Sequence, residues 1–91
     1  MKTIYVDNNA TTAIAPEVYE AMQPFLTEEY FNPSSMYEAS RKAHDTIEEA
    51  RKTVSKMLRG GNPKQILFTS CASESNNTAI YGVAKANPNK K

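Results

Sequence analysis

The most regular hydrophobic pattern in the chain is an apolar stripe across its middle. The stripe recurs at intervals of four and three residues, and its members are Ala43, Ile47, Ala50, Val54, Met57 and Leu58. Charged residues occupy most of the positions between them. This spacing places the apolar side chains on one face of an α-helix and the charged ones in solvent. The pattern predicts a long amphipathic helix that begins near Met36 and is stopped by the Gly60-Gly61-Asn62-Pro63 segment.

Two further helices are predicted, one on each side of the long one. The first begins at Pro16, because proline suits the first helical position and Glu17 complements the positive helix end. Its apolar positions are Val18, Met22, Phe25 and Leu26, and Pro24 should kink or end it. The last helix runs from Ser70 to about Ala86 and is ended by Asn87-Pro88. Its inward positions are Ala72, Ala79, Ile80, Val83 and Ala84.

Two short apolar segments are predicted to be β-strands. Residues 3–6 are β-branched or aromatic, and residues 65–69 form a compact apolar run without alternation. Such a run is typical of a strand covered on both faces, as in a parallel sheet under helices. The order strand, helix, helix, strand, helix predicts an α/β fold. We divide the chain into an N-terminal arm with a strand, residues 1–15, and the first, incomplete part of a larger domain, residues 16–91.

Composition narrows the class of protein. The 91 residues carry 11 basic and 10 acidic side chains, and 40% of the residues are hydrophobic. These values are typical of a soluble globular protein. Basic and acidic residues are interleaved, which argues against a nucleic-acid surface. No apolar run is long enough for a membrane span or a signal peptide, so we expect no membrane partner and a cytoplasmic location.

The strongest local chemical signal lies where the second predicted strand passes into the last helix. With Ser70 as the N-cap, the backbone amides of Ala72 and Ser73 are free to bind an anion such as phosphate, and the Ser73 hydroxyl is a further donor. The small side chain of Ala72 lets the backbone approach the anion. The alternative is that these hydroxyl residues only cap the helix. Glu74 would oppose a phosphate, so it must point away or neutralise a cation.

Other polar segments and residues are better explained by structure than by a site. Residues 7–12, Asp-Asn-Asn-Ala-Thr-Thr, either form a turn or belong to a site, and the same choice applies to residues 32–35, Asn-Pro-Ser-Ser. His44 is interpreted as a surface histidine, since no second ligand lies at metal spacing, and we predict no metal site. Cys71 is the only cysteine. It is interpreted as a small buried packing residue rather than a nucleophile.

Three segments of the chain carry a resemblance to a known family, and they are residues 5–12, 32–35 and 68–77. In order and spacing they resemble the start of a pyridoxal-phosphate-dependent cysteine desulfurase of the nitrogen-fixation type. This type belongs to the class V aminotransferase family. The resemblance spans essentially the whole chain. It implies the N-terminal portion of a fold type I pyridoxal-phosphate enzyme that is homodimeric when complete. The family converts L-cysteine to L-alanine and an enzyme persulfide, whose sulfur goes to an acceptor such as an iron–sulfur scaffold.

The resemblance also implies roles for individual residues. Ala72 and Ser73 occupy the family's Ala-Thr positions that bind the phosphate of pyridoxal 5′-phosphate, which agrees with the anion site argued from the helix start. The Ala10-Thr11-Thr12 segment corresponds to a stretch near the substrate side of the pocket. At five positions the residue in this chain differs from the one usual in the family. These residues are Phe31, Tyr37, Ser40, Ser73 and Asn76.

The chain lacks the family's Ser-x-His-Lys motif, and Cys71 is not in the position of the persulfide cysteine. We therefore predict no catalytic residue in this chain and no activity by the chain alone. Two alternatives remain open. One is a free-standing, non-catalytic anion-binding or interaction module built from the same elements. The other is part of a related class V enzyme, such as a selenocysteine lyase, which shares this N-terminal pattern.

Overall fold

A computed structural model describes residues 1–90 of the chain. It contains three α-helices and one short 3₁₀-helix, in the order α1 Pro16–Thr27, α2 Glu38–Met57, the 3₁₀-helix Pro63–Gln65, and α3 Ala72–Ala86. The three predicted helices are thus confirmed. The chain divides into two compact units, Met1–Glu49 and the part that begins at Ala50. No helix of the described residues is long and apolar enough to cross a membrane.

The predicted strands do not form in the described part of the chain. Residues 3–6 have no regular structure, and the second predicted strand begins inside the 3₁₀-helix, at Gln65. A strand is held by hydrogen bonds to a neighbouring strand. Neither segment has such a partner among residues 1–90. Ile66 nevertheless has extended backbone angles, φ −90° and ψ 120°. The local preference for extended structure is therefore present, and what is missing is the ladder that would make it a strand.

Helix α1 begins where the sequence predicts but does not end at Pro24. The amides of Val18 and Tyr19 both donate to the Ala15 carbonyl, 3.0 Å away, which starts the helix directly at Pro16. Three more residues follow Pro24 before the helix ends at Thr27. A proline this close to the C-terminus removes one intrahelical hydrogen bond, and the remaining turn can still form.

The first unit joins α1, the following loop and the start of α2. The Nζ of Lys42 lies 2.6 Å from a carboxylate oxygen of Glu29, and the rings of Tyr30 and Phe31 stack with their centroids 5.4 Å apart. Burial is confined to the start of α2, where Ala43 is buried among its neighbours. The ion pair ties the loop that leads into α2 to that helix, and the two stacked rings lie within the loop.

Helix α2 ends in a Schellman motif with an arginine in the position that usually holds glycine. The Gly60 amide donates to the Ser55 carbonyl at 2.8 Å, and the Arg59 amide donates to the Lys56 carbonyl at 3.1 Å. Arg59 has a φ of 54°, in the left-handed region. The Ser55 side chain is buried and its hydroxyl donates to the Gly60 carbonyl. The predicted glycine stop is therefore present, but the left-handed residue precedes the glycines.

In the second unit, Arg51 of α2 holds the segment that precedes α3. Its guanidinium donates to the Ile66 carbonyl and lies over the Phe68 ring, 5.1 Å from the ring centroid. Helix α3 itself has no buried residue. The prediction that one face of α3 is buried is therefore wrong within the described chain. Ile80 and Val83, on that face, are both about two-thirds exposed. No other element of this unit covers them.

Candidate functional site

Helix α3 begins one residue later than the sequence predicts. Cys71, with extended angles φ −166° and ψ 170°, is the N-cap, and Ala72 is the first helical residue. Ser70 was predicted as the N-cap, and the structure corrects this. The Ser70 amide and hydroxyl both donate to one carboxylate oxygen of Glu74, at 2.7 and 2.6 Å. Ser70 precedes the N-cap, and its hydroxyl binds Glu74 instead of the first amides of the helix.

The Glu74 carboxylate turns back along the first turn of α3 to reach these two donors. Its pKa is lowered, first by the Ser70 hydroxyl and then by the Ser70 amide, against a smaller opposing effect of burial. Glu74 is therefore charged at neutral pH. The sequence predicts a side chain that points away or neutralises a cation; instead, the carboxylate is held by a neutral serine.

The first amides of α3 form the anion-accepting part of the site. The first intrahelical acceptor, the Cys71 carbonyl, receives the Ser75 amide at 3.1 Å. The amides of Ala72 and Ser73 precede that bond and have no acceptor within the helix. Both residues are exposed. Backbone donors at a helix start with a methyl group as the nearest side chain are the arrangement that a phosphate group requires. The residues present therefore fit a phosphate-bearing cofactor at this position.

Cys71 lies directly beside these amides and is exposed. The prediction of a buried packing residue is wrong, because no other part of the described chain covers the start of α3. The pKa of the Cys71 thiol is lowered, first by the Glu74 amide, then by the Ser70 hydroxyl, 3.7 Å from the sulfur, and to a smaller extent by the Ser73 amide. The thiolate is thus favoured by donors of the same first turn, and the Ser73 amide is one that a phosphate would also use.

The Ala10-Thr11-Thr12 segment lies in the first unit, whereas α3 lies in the second. The amides of Ala10 and Thr11 donate to the Asp7 carbonyl, at 3.1 and 3.5 Å, and the segment is exposed. The segment therefore begins with the turn that the sequence predicts as one of its two alternatives.

The Asn32-Pro33-Ser34-Ser35 segment also forms a turn. The side-chain oxygen of Asn32 accepts the Ser34 amide at 2.9 Å, and its carbonyl accepts the Ser35 amide at 3.0 Å. His44, on α2, is exposed, and its Nδ1 lies 3.2 Å from an Asp45 carboxylate oxygen. Within residues 1–90, no group of three or more His, Cys, Asp or Glu side chains is arranged to hold a metal ion.

The start of α3 therefore combines exposed residues with first-turn amides that have no acceptor within the helix, and such a helix start can bind a phosphate group. The family model for aminotransferase class V matches residues 4–91. The chain belongs to the class V aminotransferase family.

Individual relatives extend this result. The chain is 43% identical over 91 residues to the cysteine desulfurase NifS of Azotobacter vinelandii. This alignment covers 100% of the chain and 23% of NifS. The chain is 49% identical over 84 residues to the selenocysteine lyase of Homo sapiens, covering 92% of this chain and 19% of that protein. Identity to the cysteine desulfurase IscS of Dictyoglomus turgidum is 48% over 85 residues, covering 93% of this chain and 21% of that protein. The chain spans about a fifth of the length of these curated relatives.

Proposed function

We propose that this chain supplies part of the phosphate site for pyridoxal 5′-phosphate in a class V enzyme of fold type I, acting as a cysteine desulfurase. One observation carries the proposal: Ala72 and Ser73 are exposed residues whose amides precede the first intrahelical hydrogen bond of α3. These are the two positions at which the resemblance to cysteine desulfurases places the phosphate contacts. The residue chemistry and the resemblance therefore converge on the same two amides.

Each residue of the first turn has a distinct part in this site. The Ala72 and Ser73 amides bind the phosphate oxygens, and the Ser73 hydroxyl donates a further hydrogen bond. Ser70 keeps the Glu74 carboxylate bound through two donors, at 2.7 and 2.6 Å. That contact leaves the Ala72 and Ser73 amides available to an external anion. When bound, the cofactor supplies an electron sink for chemistry at an amino-acid substrate.

The proposed reaction converts L-cysteine to L-alanine and an enzyme persulfide, with the sulfur passed to an acceptor in iron–sulfur cluster assembly. The complete enzyme is proposed to be a homodimer, with Ala10, Thr11 and Thr12 near the substrate. Two relatives are themselves named cysteine desulfurases, which supports this assignment. We propose that the chain alone is inactive, because it contains neither the Ser-x-His-Lys motif nor a cysteine outside the phosphate helix.

A second candidate function has its own observation. The identity to human selenocysteine lyase, 49% over 84 residues, is as high as that to the desulfurases. An enzyme that carries this chain would then act on L-selenocysteine. Comparing selenide release from L-selenocysteine with sulfide release from L-cysteine, in an enzyme that carries this chain, separates the two functions.

The cofactor-phosphate proposal is tested on the full chain by following backbone amide resonances during titration with pyridoxal 5′-phosphate and, separately, with pyridoxal. We expect shifts at Ala72 and Ser73 with the phosphorylated form only. Ser73→Asp places a negative charge at the site and should weaken binding by about tenfold. Thr78→Asp adds the same charge further along α3 and should have a smaller effect. Equal binding of both forms, unaffected by Ser73→Asp, contradicts the proposal.

A further inference from the structure

A polar cleft in the first unit lies apart from the proposed cofactor-phosphate residues in sequence and chemistry. It is formed by the loop before α2 and the first two turns of that helix, and its volume is about 530 Å³. The lining residues are Pro33, Ser34, Ser35, Met36, Tyr37, Ser40, Arg41 and His44. They include two basic side chains and three serine hydroxyls, and none of the eight is acidic. This composition favours an anionic occupant.

Ser40 gives an independent indication that the cleft accepts a ligand. Its side chain is buried, with only 1% of the residue exposed, and its hydroxyl oxygen has no hydrogen-bond partner among the described residues. Buried polar atoms are satisfied in the large majority of cases, because an unmade hydrogen bond in a dry environment is costly. Ser40 lines the cleft, so an acceptor bound there is the partner that its hydroxyl lacks.

Arg41 is the second group available to a ligand, and it is exposed. In residues 1–90 its guanidinium has no hydrogen-bond or ion-pair partner, whereas the adjacent Lys42 is paired with Glu29 at 2.6 Å. Arg41 also borders a neighbouring groove along α2 whose lining includes three acidic residues, Glu38, Asp45 and Glu49. None of the three lines the cleft itself, so within the cleft the basic side chains meet no carboxylate.

We propose that this cleft binds the phosphate group of a small phosphomonoester. A planar guanidinium fork and several hydroxyl donors match the oxygens of a tetrahedral phosphate. The cleft volume is within the range of small-molecule sites and exceeds what a bare phosphate fills. The exposed side chains of Met36 and Tyr37 offer apolar surface to the rest of the molecule. This inference does not rest on the function proposed for α3.

The test follows backbone amide resonances of the full chain during titration with phenyl phosphate, inorganic phosphate and phenol. We expect shifts confined to residues 33–44 with the two phosphates, tighter binding of phenyl phosphate, and no such shifts with phenol. If inorganic phosphate binds as tightly as phenyl phosphate, the cleft is a phosphate site, but the assignment of a phosphomonoester as its ligand is wrong. No localised shift with either phosphate overturns the proposal entirely.

Two variants separate a built site from general charge attraction. Arg41→Gln should weaken phenyl phosphate binding by about tenfold, through loss of a charge-assisted hydrogen bond. Lys64→Gln removes the same charge in the second unit and should change it less than about twofold. Equal effects of the two variants overturn the proposal. Ser73→Asp, at the start of α3, should leave the shifts at residues 33–44 unchanged.

Ser40→Ala gives the second readout. Removing an unsatisfied buried hydroxyl should raise the melting temperature of the free chain, while phenyl phosphate binding weakens severalfold. A role in packing alone predicts unchanged binding, and that result would overturn the part assigned to Ser40.

Discussion

The starts of α2 and α3 both accept anions in the functions proposed above, but they are built differently. At α2 the donors are side chains: Arg41 without a partner and Ser40 with a buried, unpaired hydroxyl. At α3 they are exposed backbone amides, next to a carboxylate and a thiol on the same turn. Side-chain substitution should therefore weaken binding at the first site directly, whereas binding at the second should be adjusted by neighbouring charge.

At the start of α3, the largest expected change in cofactor binding comes from substitution of Glu74. Glu74→Gln removes the negative charge beside the Ala72 and Ser73 amides, so pyridoxal 5′-phosphate should bind about tenfold more tightly. The measurement is the dissociation constant from an amide-resonance titration. Glu20→Gln, on the exposed face of α1, is the matched control and should leave the constant unchanged. Weaker binding after Glu74→Gln would show that the carboxylate organises the site rather than opposing the phosphate.

The next largest effect is on stability, and it comes from a substitution at Arg59, outside both helix starts. Arg59 has a left-handed backbone at φ 54°, a conformation that costs a non-glycine residue about 1–2 kcal/mol. Arg59→Gly should raise the free energy of unfolding by about 1 kcal/mol, since glycine's own entropy cost offsets part of the gain. Chemical denaturation measures it.

Gly60→Ala gives the opposite change at the same motif. Its Cβ would lie 3.2 Å from the Ser55 hydroxyl oxygen and 3.3 Å from the Ser55 carbonyl, so destabilisation is expected. Neither variant should alter phosphate binding at α2 or α3. A stability loss in Arg59→Gly would contradict the strain assigned to that residue.

The Cys71 thiol gives a smaller, pH-dependent effect. Because its pKa is lowered by the Glu74 amide and the Ser70 hydroxyl, alkylation by iodoacetamide should reach half its maximal rate below the ordinary thiol pKa. Ser70→Ala should move that midpoint upward, toward the ordinary value. Saturating pyridoxal 5′-phosphate should slow alkylation severalfold, since the cofactor phosphate would lie beside the thiol and both anions use the Ser73 amide. Alkylation unaffected by the cofactor would separate the thiol from the phosphate site.

The smallest effect concerns Glu74 in acid. Its folded pKa is lowered, so its contribution to stability is fully present above the unfolded pKa and is lost as the pH falls through the folded pKa. The melting temperature should therefore fall in acid, below the usual range for glutamate, and part of this dependence should disappear in Ser70→Ala. Thermal scans by circular dichroism from neutral to acidic pH measure the difference. An identical pH dependence in both proteins would contradict the role of Ser70.

The helices show how much local sequence can predict. Pro16 marks the first residue of α1, and Ala86 is the last residue of α3, both as expected. The exception at Pro24 has a local explanation, because a proline near the end of a helix removes only one hydrogen bond. The position of Ser70 was harder to predict. Ser70 is a good N-cap by residue type, and only the reach of Glu74 made Cys71 the cap instead.

Burial was predicted less well than helix position. Cys71 was expected to be buried and is exposed, while Ser40, a polar residue, is among the most buried side chains. Residue type predicts the average tendency to be buried. Whether a given side chain is covered depends on which distant segment packs over it. The cleft beside Ser40 was missed for this reason, although the adjacent Arg41 and His44, one helical turn beyond Ser40, were a usable signal.

The sequence by itself determined the three helices, the turns at Asp7 and Asn32, and the motifs of the class V aminotransferase family. These features depend on residues within one or two turns of each other, so their hydrogen bonds are local. Only the tertiary structure decided that residues 3–6 and 65–69 form no ladder and that Ser40 is buried without a partner. Strand pairing and burial require a neighbour in space, and no local pattern specifies that neighbour.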